Sequence, residues 1–251
     1  MATALLVVCL LIPVSYVWVT PPRTSFMLQN NGPVVYQYVS LDHVSRYMIA
    51  STIAHEDQLL GARKGAFDYD DFKNRIQAFA DGEADPSGST IPQQLAKNIF
   101  FSADQNAVRK GLEAVVATEF SYTLSDQRIM ELYLNYAQFG PTIYGICAAT
   151  WYYFNTPPSA MTEYQAAQLA GILPFPATVA RDVNGGIRAT PEILREANER
   201  VPWLIAGLGG WEAAVATIGI HDSASDHAST RGASNGCSTM PKDVAKLLAG
   251  K

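Results

Sequence analysis

Residues 2–19, Ala2 to Val19, carry no charge, and beyond them apolar positions recur at helical rather than alternating intervals. A helix of that length would span about 27 Å, enough to cross a slightly thin bilayer, so the pattern predicts a transmembrane anchor over 1–20 that Pro21-Pro22 ends. Pro13 is tolerable inside such a span. A cleaved signal peptide is the weaker reading, because neither a basic leader nor a convincing small-residue cleavage site is present. After an irregular stretch, Leu41, Val44, Met48 and Ile53 recur near helical spacing, with Ser40 as the N-cap and Glu56 at or just past the helix end. Residues 61–87 are polar. A short helix is expected from Phe67 to Phe79 and a mobile loop from Asp81 to Ser87.

Thr90 caps a helix from Ile91 that carries Pro92 in its first turn, where no intrahelical donor is lost. Segments 107–122 and 126–137 repeat the helical period through Leu112, Val115, Val116 and Phe120, then through Ile129, Leu132, Tyr133 and Tyr136. Thr162-Glu163-Tyr164-Gln165 fits a capping box, Thr190-Pro191 opens another helix, and Val201-Pro202 is expected to kink or break it. No sustained alternation supports a large sheet, so the fold class is mostly α. Residues 222–241 are rich in Ser, Ala, Gly and Asp. The expected organisation is an anchor over 1–20, one domain over 21–220 and a disordered tail over 221–251.

With 251 residues, 48% of them hydrophobic, the chain can bury a full core. A net charge of −5 without a basic stripe excludes general nucleic-acid binding and makes any anion site local. The local concentration of positive charge is Lys97, Arg109 and Lys110. Cys9, Cys147 and Cys237 form no disulfide framework and are expected to be unpaired, and no spacing fits a common zinc pattern.

Glu56 and Glu113 stand 57 positions apart and bracket the polar cassette from Gly88 to Asn98. A carboxylate can take a proton from an attacking hydroxyl, while Lys and Arg can hold a phosphate leaving group. Both chemistries beside one hydrophobic anchor suggest sugar transfer from a lipid-phosphate donor.

Gly88-Ser89-Thr90-Ile91-Pro92-Gln93-Gln94-Leu95-Ala96-Lys97-Asn98 resembles the GxSTxxQQxxKN motif of the family 51 glycosyltransferases, which polymerise peptidoglycan glycan strands. Glu56-Asp57 with Gly65 and Phe67-Asp68 resembles that family's first motif, Arg109-Lys110-Gly111-Leu112-Glu113 its third, and Arg128 to Asn135 its fourth. Phe139-Gly140-Pro141, Tyr153-Phe154 and Leu173-Pro174 match later helices, and Pro21 to Met27 resembles the post-anchor segment of the monofunctional branch. The resemblance runs from about Pro21 to about Gly210, and no Ser-x-x-Lys of a penicillin-binding transpeptidase occurs. It implies a lysozyme-like catalytic lobe with a small membrane-proximal jaw at about residues 60–87, preceded by one transmembrane helix.

By the same resemblance Glu56 is the base that deprotonates the acceptor 4-hydroxyl, and Glu113 assists departure of undecaprenyl pyrophosphate. Asp57, Ser89, Thr90, Gln93, Gln94, Lys97, Asn98, Arg109 and Lys110 are the expected substrate-binding set. Glu131, Tyr133 and Asn135 read as structural. A divalent cation, magnesium or manganese, is implied without a visible protein ligand set. The implied partners are lipid II, the growing glycan strand, the membrane and other cell-wall synthesis proteins. The implied location is the bacterial cytoplasmic membrane, with the domain on its outer side.

Three departures from the family pattern stand out: Leu60 replaces an aromatic, Arg63 replaces a histidine, and one residue is inserted before Phe67. Gln105 also replaces an arginine, for which Arg63 is a candidate substitute. These departures motivate one rival, an inactive membrane-anchored glycolipid-binding scaffold that would bind lipid-linked substrate without turnover. The other rival is a lysozyme-like glycan-cleaving enzyme, which would shorten soluble strands and need no pyrophosphate site.

Overall fold

The apolar residues that the helical period picks out converge on α2 (Arg46–Glu56), where Met48 through Ala54 are all buried. A helix apolar on every side belongs in the middle of a core. The computed structural model describes residues 12–67, 73, 89–101, 107–221 and 237–250. Within them a single turn, α1 (Ser25–Leu28), leads to β1 (Val35–Tyr36) and then to α2. The chain continues through α3 (Ile91–Phe100), α4 (Ala107–Thr123), α5 (Asp126–Tyr136), β2 (Ile143–Tyr144), α6 (Ile146–Phe154) and α7 (Glu163–Ile172). It closes with α8 (Pro191–Arg195), α9 (Val201–Gly207), α10 (Trp211–Ala216) and α11 (Lys242–Ala249). The two strands pair in parallel, with Val35 opposite Ile143 and Tyr36 opposite Tyr144. The architecture is mostly helical. α7, α9 and α10 pack around α2, while α3 lies against α4 and α5.

Local chemistry sets most helix ends where the pattern predicts. Thr90 and Gln93 form a capping box ahead of α3, Thr162 and Gln165 another ahead of α7, and the Thr190 side chain caps α8. The start of α2 differs from the prediction at Ser40. Leu41–His43 is instead a 3-10 turn and Val44 is extended, so the helix begins at Arg46. Tertiary contacts set this break: the Ser45 hydroxyl donates to the Met161 carbonyl at 3.1 Å, and its N–H donates to the Pro158 carbonyl at 2.9 Å.

Pro202 does not end its helix. Glu196–Arg200 forms a π turn between α8 and α9, with the Val201 N–H donating to the Glu196 carbonyl. Proline removes one donor and crowds the carbonyl four residues back, and a widened turn accommodates both effects.

α4 meets the expected face only in part. Phe120 is buried and Val116 half-buried against the core, but Leu112 and Val115 are exposed, while the charged Arg109 and Glu113 are buried. Periodicity identified the helix but not the full width of its inward side, which also takes in a buried ion pair.

No helix among the described residues is long and apolar enough to cross a membrane, and residues 1–11 of the expected anchor lie outside them. The latter part of that segment is docked on the domain. Tyr16 packs edge-on against Phe100 and Phe120, with ring centroids 5.6 and 5.8 Å away. Arg128 donates to the carbonyls of Tyr16 and Val19 and to the Thr20 hydroxyl. Apart from Phe67 and Lys73, the expected Phe67–Phe79 helix and Asp81–Ser87 loop lie outside the described residues, as does Gln105.

The tail expectation needs correction at its far end. α11 returns to pack on α6 and β1, and Cys147 and Cys237 form a disulfide with 5.9 Å between their Cα atoms. Trp151 Nε1 donates to the Cys237 carbonyl at 2.9 Å. Two cysteines 90 positions apart meet only through the tertiary fold, which spacing alone does not disclose. Closing a loop of that length stabilises by roughly 4–5 kcal/mol on the chain-entropy account. Cys237→Ser should therefore lower Tm markedly relative to the oxidised parent. Treatment with reductant should lower the parent's Tm to match while leaving the variant unchanged. Equal Tm values for oxidised parent and variant would rule out a stabilising role.

Candidate active site

Glu56 is the last residue of α2, and its side chain is only 10% exposed. One oxygen, Oε1, lies 2.7 Å from His55 Nδ1. The other, Oε2, accepts a hydrogen bond from Gln94 Nε2 at 2.7 Å. Gln94 also donates to the Ser89 carbonyl at 2.9 Å, and its own oxygen accepts from the Tyr133 hydroxyl at 3.0 Å. Burial pushes the Tyr133 phenol well up, and the neighbouring Glu56 carboxylate adds to that rise. Gln94, expected at the substrate, thus holds Glu56. Tyr133, expected to be purely structural, belongs to the same network. Glu131 and Asn135 meet their structural expectation: Glu131 accepts from the Leu41 N–H, and Asn135 bonds both backbone groups of Val39.

Asp57 ties the end of α2 to the start of α3. Arg63 donates to its two oxygens at 2.5 and 2.7 Å, and the Ile91 N–H donates to Oδ2 at 3.0 Å. A carboxylate at a helix N-terminus is favourable, and a forked guanidinium fits it geometrically. Arg63 Nε in turn donates to the Gly65 carbonyl, so all three guanidinium nitrogens of this arginine are engaged locally. Beside it, Gly61 adopts a φ of +84°, and a Cβ there would lie 2.0 Å from the Thr217 carbonyl oxygen. That close approach seats the 57–65 turn against the end of α10. Thr90 donates to the Ala66 carbonyl and Gln93 accepts from the Thr90 backbone, so both brace the same junction.

Glu113 on α4 is 1% exposed. Arg109 Nη1 donates to its Oε2 at 2.7 Å and Lys110 Nζ to its Oε1 at 2.9 Å. Lys97 on α3 faces this group. Burial lowers the Lys97 ammonium below the ordinary lysine range; Glu113 opposes that shift, Lys110 and Arg109 reinforce it, and Glu56 opposes it too. Lys97 therefore lies within the fields of both glutamates. Two cations bond one carboxylate and a third lies in its field, which leaves a positive excess suited to an anion. Asn98 is buried on the same helix.

The described residues contain no group of three or more His, Cys, Asp or Glu side chains able to hold a metal ion. Both Glu113 oxygens are already bonded to cations. This donor set does not fit a protein-held divalent ion.

A family model described as Transglycosylase matches residues 27–204. The chain belongs to the transglycosylase family. Among curated relatives of this transglycosylase, the biosynthetic peptidoglycan transglycosylase of Shewanella frigidimarina is 42% identical over 159 residues, covering 63% of the chain and 70% of the relative. Its namesake from Marinomonas sp. is 38% identical over 183 residues, covering 73% and 77% respectively.

Gly111 has no structural explanation. It sits within α4, between the ion-paired Lys110 and Glu113, and a Cβ there would meet nothing within 4 Å among the described residues. Glycine inside a helix costs up to about 1 kcal/mol relative to alanine. Gly111→Ala should therefore raise stability by about 0.5–1 kcal/mol in denaturant titrations. A simultaneous loss of turnover would mark this face as a path for substrate.

Proposed function

We propose that the chain polymerises peptidoglycan glycan strands from lipid II. Glu56 takes the proton of the acceptor's 4-hydroxyl as its oxygen bonds to C1 of the donor N-acetylmuramic acid. The C1–O bond to undecaprenyl pyrophosphate breaks, and its electron pair departs on the diphosphate. An α-linked donor thereby becomes a β-linked product, which requires the base and the diphosphate site on opposite faces of the sugar. Lys97, Arg109 and Lys110 neutralise the departing charge, and Glu113 holds the last two in place.

The observation that carries this reading is the Arg109–Glu113–Lys110 group around buried Glu113 on α4, with half-buried Lys97 of α3 in the field of Glu113 and, more weakly, of Glu56. The transglycosylase family and the names of its relatives support the same chemistry. The fold is read as a lysozyme-like lobe; residues 68–72 and 74–87, most of the expected jaw, lie outside the described residues. The exposed stripe of Val108, Leu112 and Val115 supports placement against a lipid surface, because apolar faces of this kind mark membrane or ligand contact. A disulfide supports an oxidising, extracytoplasmic compartment.

The direct test is conversion of fluorescent lipid II by detergent-solubilised protein, resolved on a gel. A ladder of polymer supports the proposal. Binding without turnover in several detergents would replace it with the scaffold reading, and shortening of soluble strands with the hydrolase.

A further inference from the structure

His55 stands between two carboxylates. Its Nδ1 faces Glu56 Oε1 at 2.7 Å and its Nε2 faces Glu196 Oε2 at 3.3 Å, with all three side chains 6–10% exposed. Among the described residues Glu196 Oε2 has no hydrogen-bond partner, since its contact with the ring has ion-pair distance but not hydrogen-bond alignment. The fold goes to some length to bring Glu196 there. The π turn at Glu196–Arg200 re-aims the helix face just ahead of Pro202. Gly171 on α7 makes room, because a Cβ at that position would lie 2.8 Å from Glu196 Cβ. The surrounding cluster is otherwise small and apolar: Ala54, Ala167, Ala170, Ala197, Val201 and Ile205. A carboxylate placed in such packing with one oxygen incompletely satisfied calls for an explanation.

We propose that Glu196, acting through His55, is a positioning residue for Glu56, fixing which of its oxygens receives the acceptor proton. The inference rests on the reading of Glu56 as the base. A neutral imidazole has one N–H and one lone pair. When Glu56 is an ionised base, His55 Nδ1 carries a proton toward it. A lone pair on Nε2 would then face the Glu196 carboxylate, whereas a second proton there turns the contact into attraction. A ring protonated on both nitrogens is the form that meets the two carboxylates at once. The other charged and polar groups are compatible with this arrangement. Arg200 and Arg195 lie 3.4 and 3.9 Å from Glu196 Oε1, while Gln94, Tyr133 and the field of Lys97 lie around Glu56. With Oε1 engaged by His55, Oε2 is the oxygen that takes the proton, once Gln94 yields to the substrate hydroxyl. The logic is that of an imidazole oriented by a buried carboxylate, applied here to a glutamate base.

The deciding experiment is nitrogen NMR on histidine-labelled full-length protein at neutral pH. The His55 signals are assigned by their loss in His55→Gln. The expected result is two protonated ring nitrogens in the parent and a neutral ring in Glu196→Gln. Glu196→Gln and Gly171→Ala should each lower kcat at least about tenfold with KM nearly unchanged. Glu196→Asp should recover part of that loss. The double variant Glu196→Gln/His55→Gln should be no worse than either single change, since the two act in series. A neutral His55 ring in the parent, or a parental kcat in folded Glu196→Gln, would overturn the proposal. Parental polymerisation by Glu56→Gln would instead refute the base assignment, leaving the NMR result to decide the proton arrangement by itself.

Discussion

Glu56→Gln should abolish strand polymerisation, with a loss on the order of 10²–10⁴ in kcat and a fall in Tm far smaller than that of Asp57→Ala. An acceptor hydroxyl is a poor nucleophile near neutrality, and a neutral amide cannot take its proton. The amide keeps the size of the carboxylate and can still meet His55 and Gln94, which contact the two carboxylate oxygens in the parent. Folding is therefore insulated from the substitution while chemistry is not. Lipid-substrate binding should survive within a few-fold, because the anion group of Lys97, Arg109 and Lys110 is untouched. The measurement is single-turnover conversion of labelled lipid II alongside a thermal melt. Normal polymer from a normally folded Glu56→Gln protein would remove Glu56 from the base role.

Asp57→Ala should be the most destabilising single change near the site. The side chains of Arg63 and Asp57 are 9% and 4% exposed, so truncation leaves a nearly buried guanidinium without its partner. It also strands the Ile91 N–H that Asp57 Oδ2 now accepts. Removing one member of a buried pair costs about 3–5 kcal/mol, which for a domain of this size lowers Tm on the order of 10 °C. Asp57→Asn should fall between, because an amide oxygen can still accept one bond but carries no charge. The double variant Asp57→Ala/Arg63→Ala should lose less than the sum of its parts, since the uncompensated charge is gone. A parental Tm for Asp57→Ala would show that the junction of α2 and α3 is held by packing alone. Activity should fall with stability here, as Glu56 sits at the adjacent helix end.

The helices and their caps were legible in the chain because their causes are local. Thr90 with Gln93, and Thr162 with Gln165, satisfy each other's orphan groups within three residues, so the pairs can be read without coordinates. The same holds for Pro92 and Pro191 in first turns. Glu56, Lys97, Arg109, Lys110 and Glu113 were legible as chemistry because their types and spacing match a transglycosylase pattern. Their mutual position was not. Tyr133 passed for structure, since a phenol at helical spacing looks like core until Gln94 is found against it. Glu196 gave no signal at all in Ile193 to Arg200, where one acid among several charges looks solvated.

What the sequence by itself determined is the helical class and most helix starts, consequences of hydrogen bonds and periodicity acting over a few positions, and the family, through its motifs. The tertiary structure decided which residues serve one another. It closed Cys147 onto Cys237, turned the charged side of α4 inward, committed Arg63 to Asp57, and set His55 between Glu56 and Glu196. These outcomes depend on burial and on partners distant in the chain, where the cost of an unpaired charge outweighs local preference.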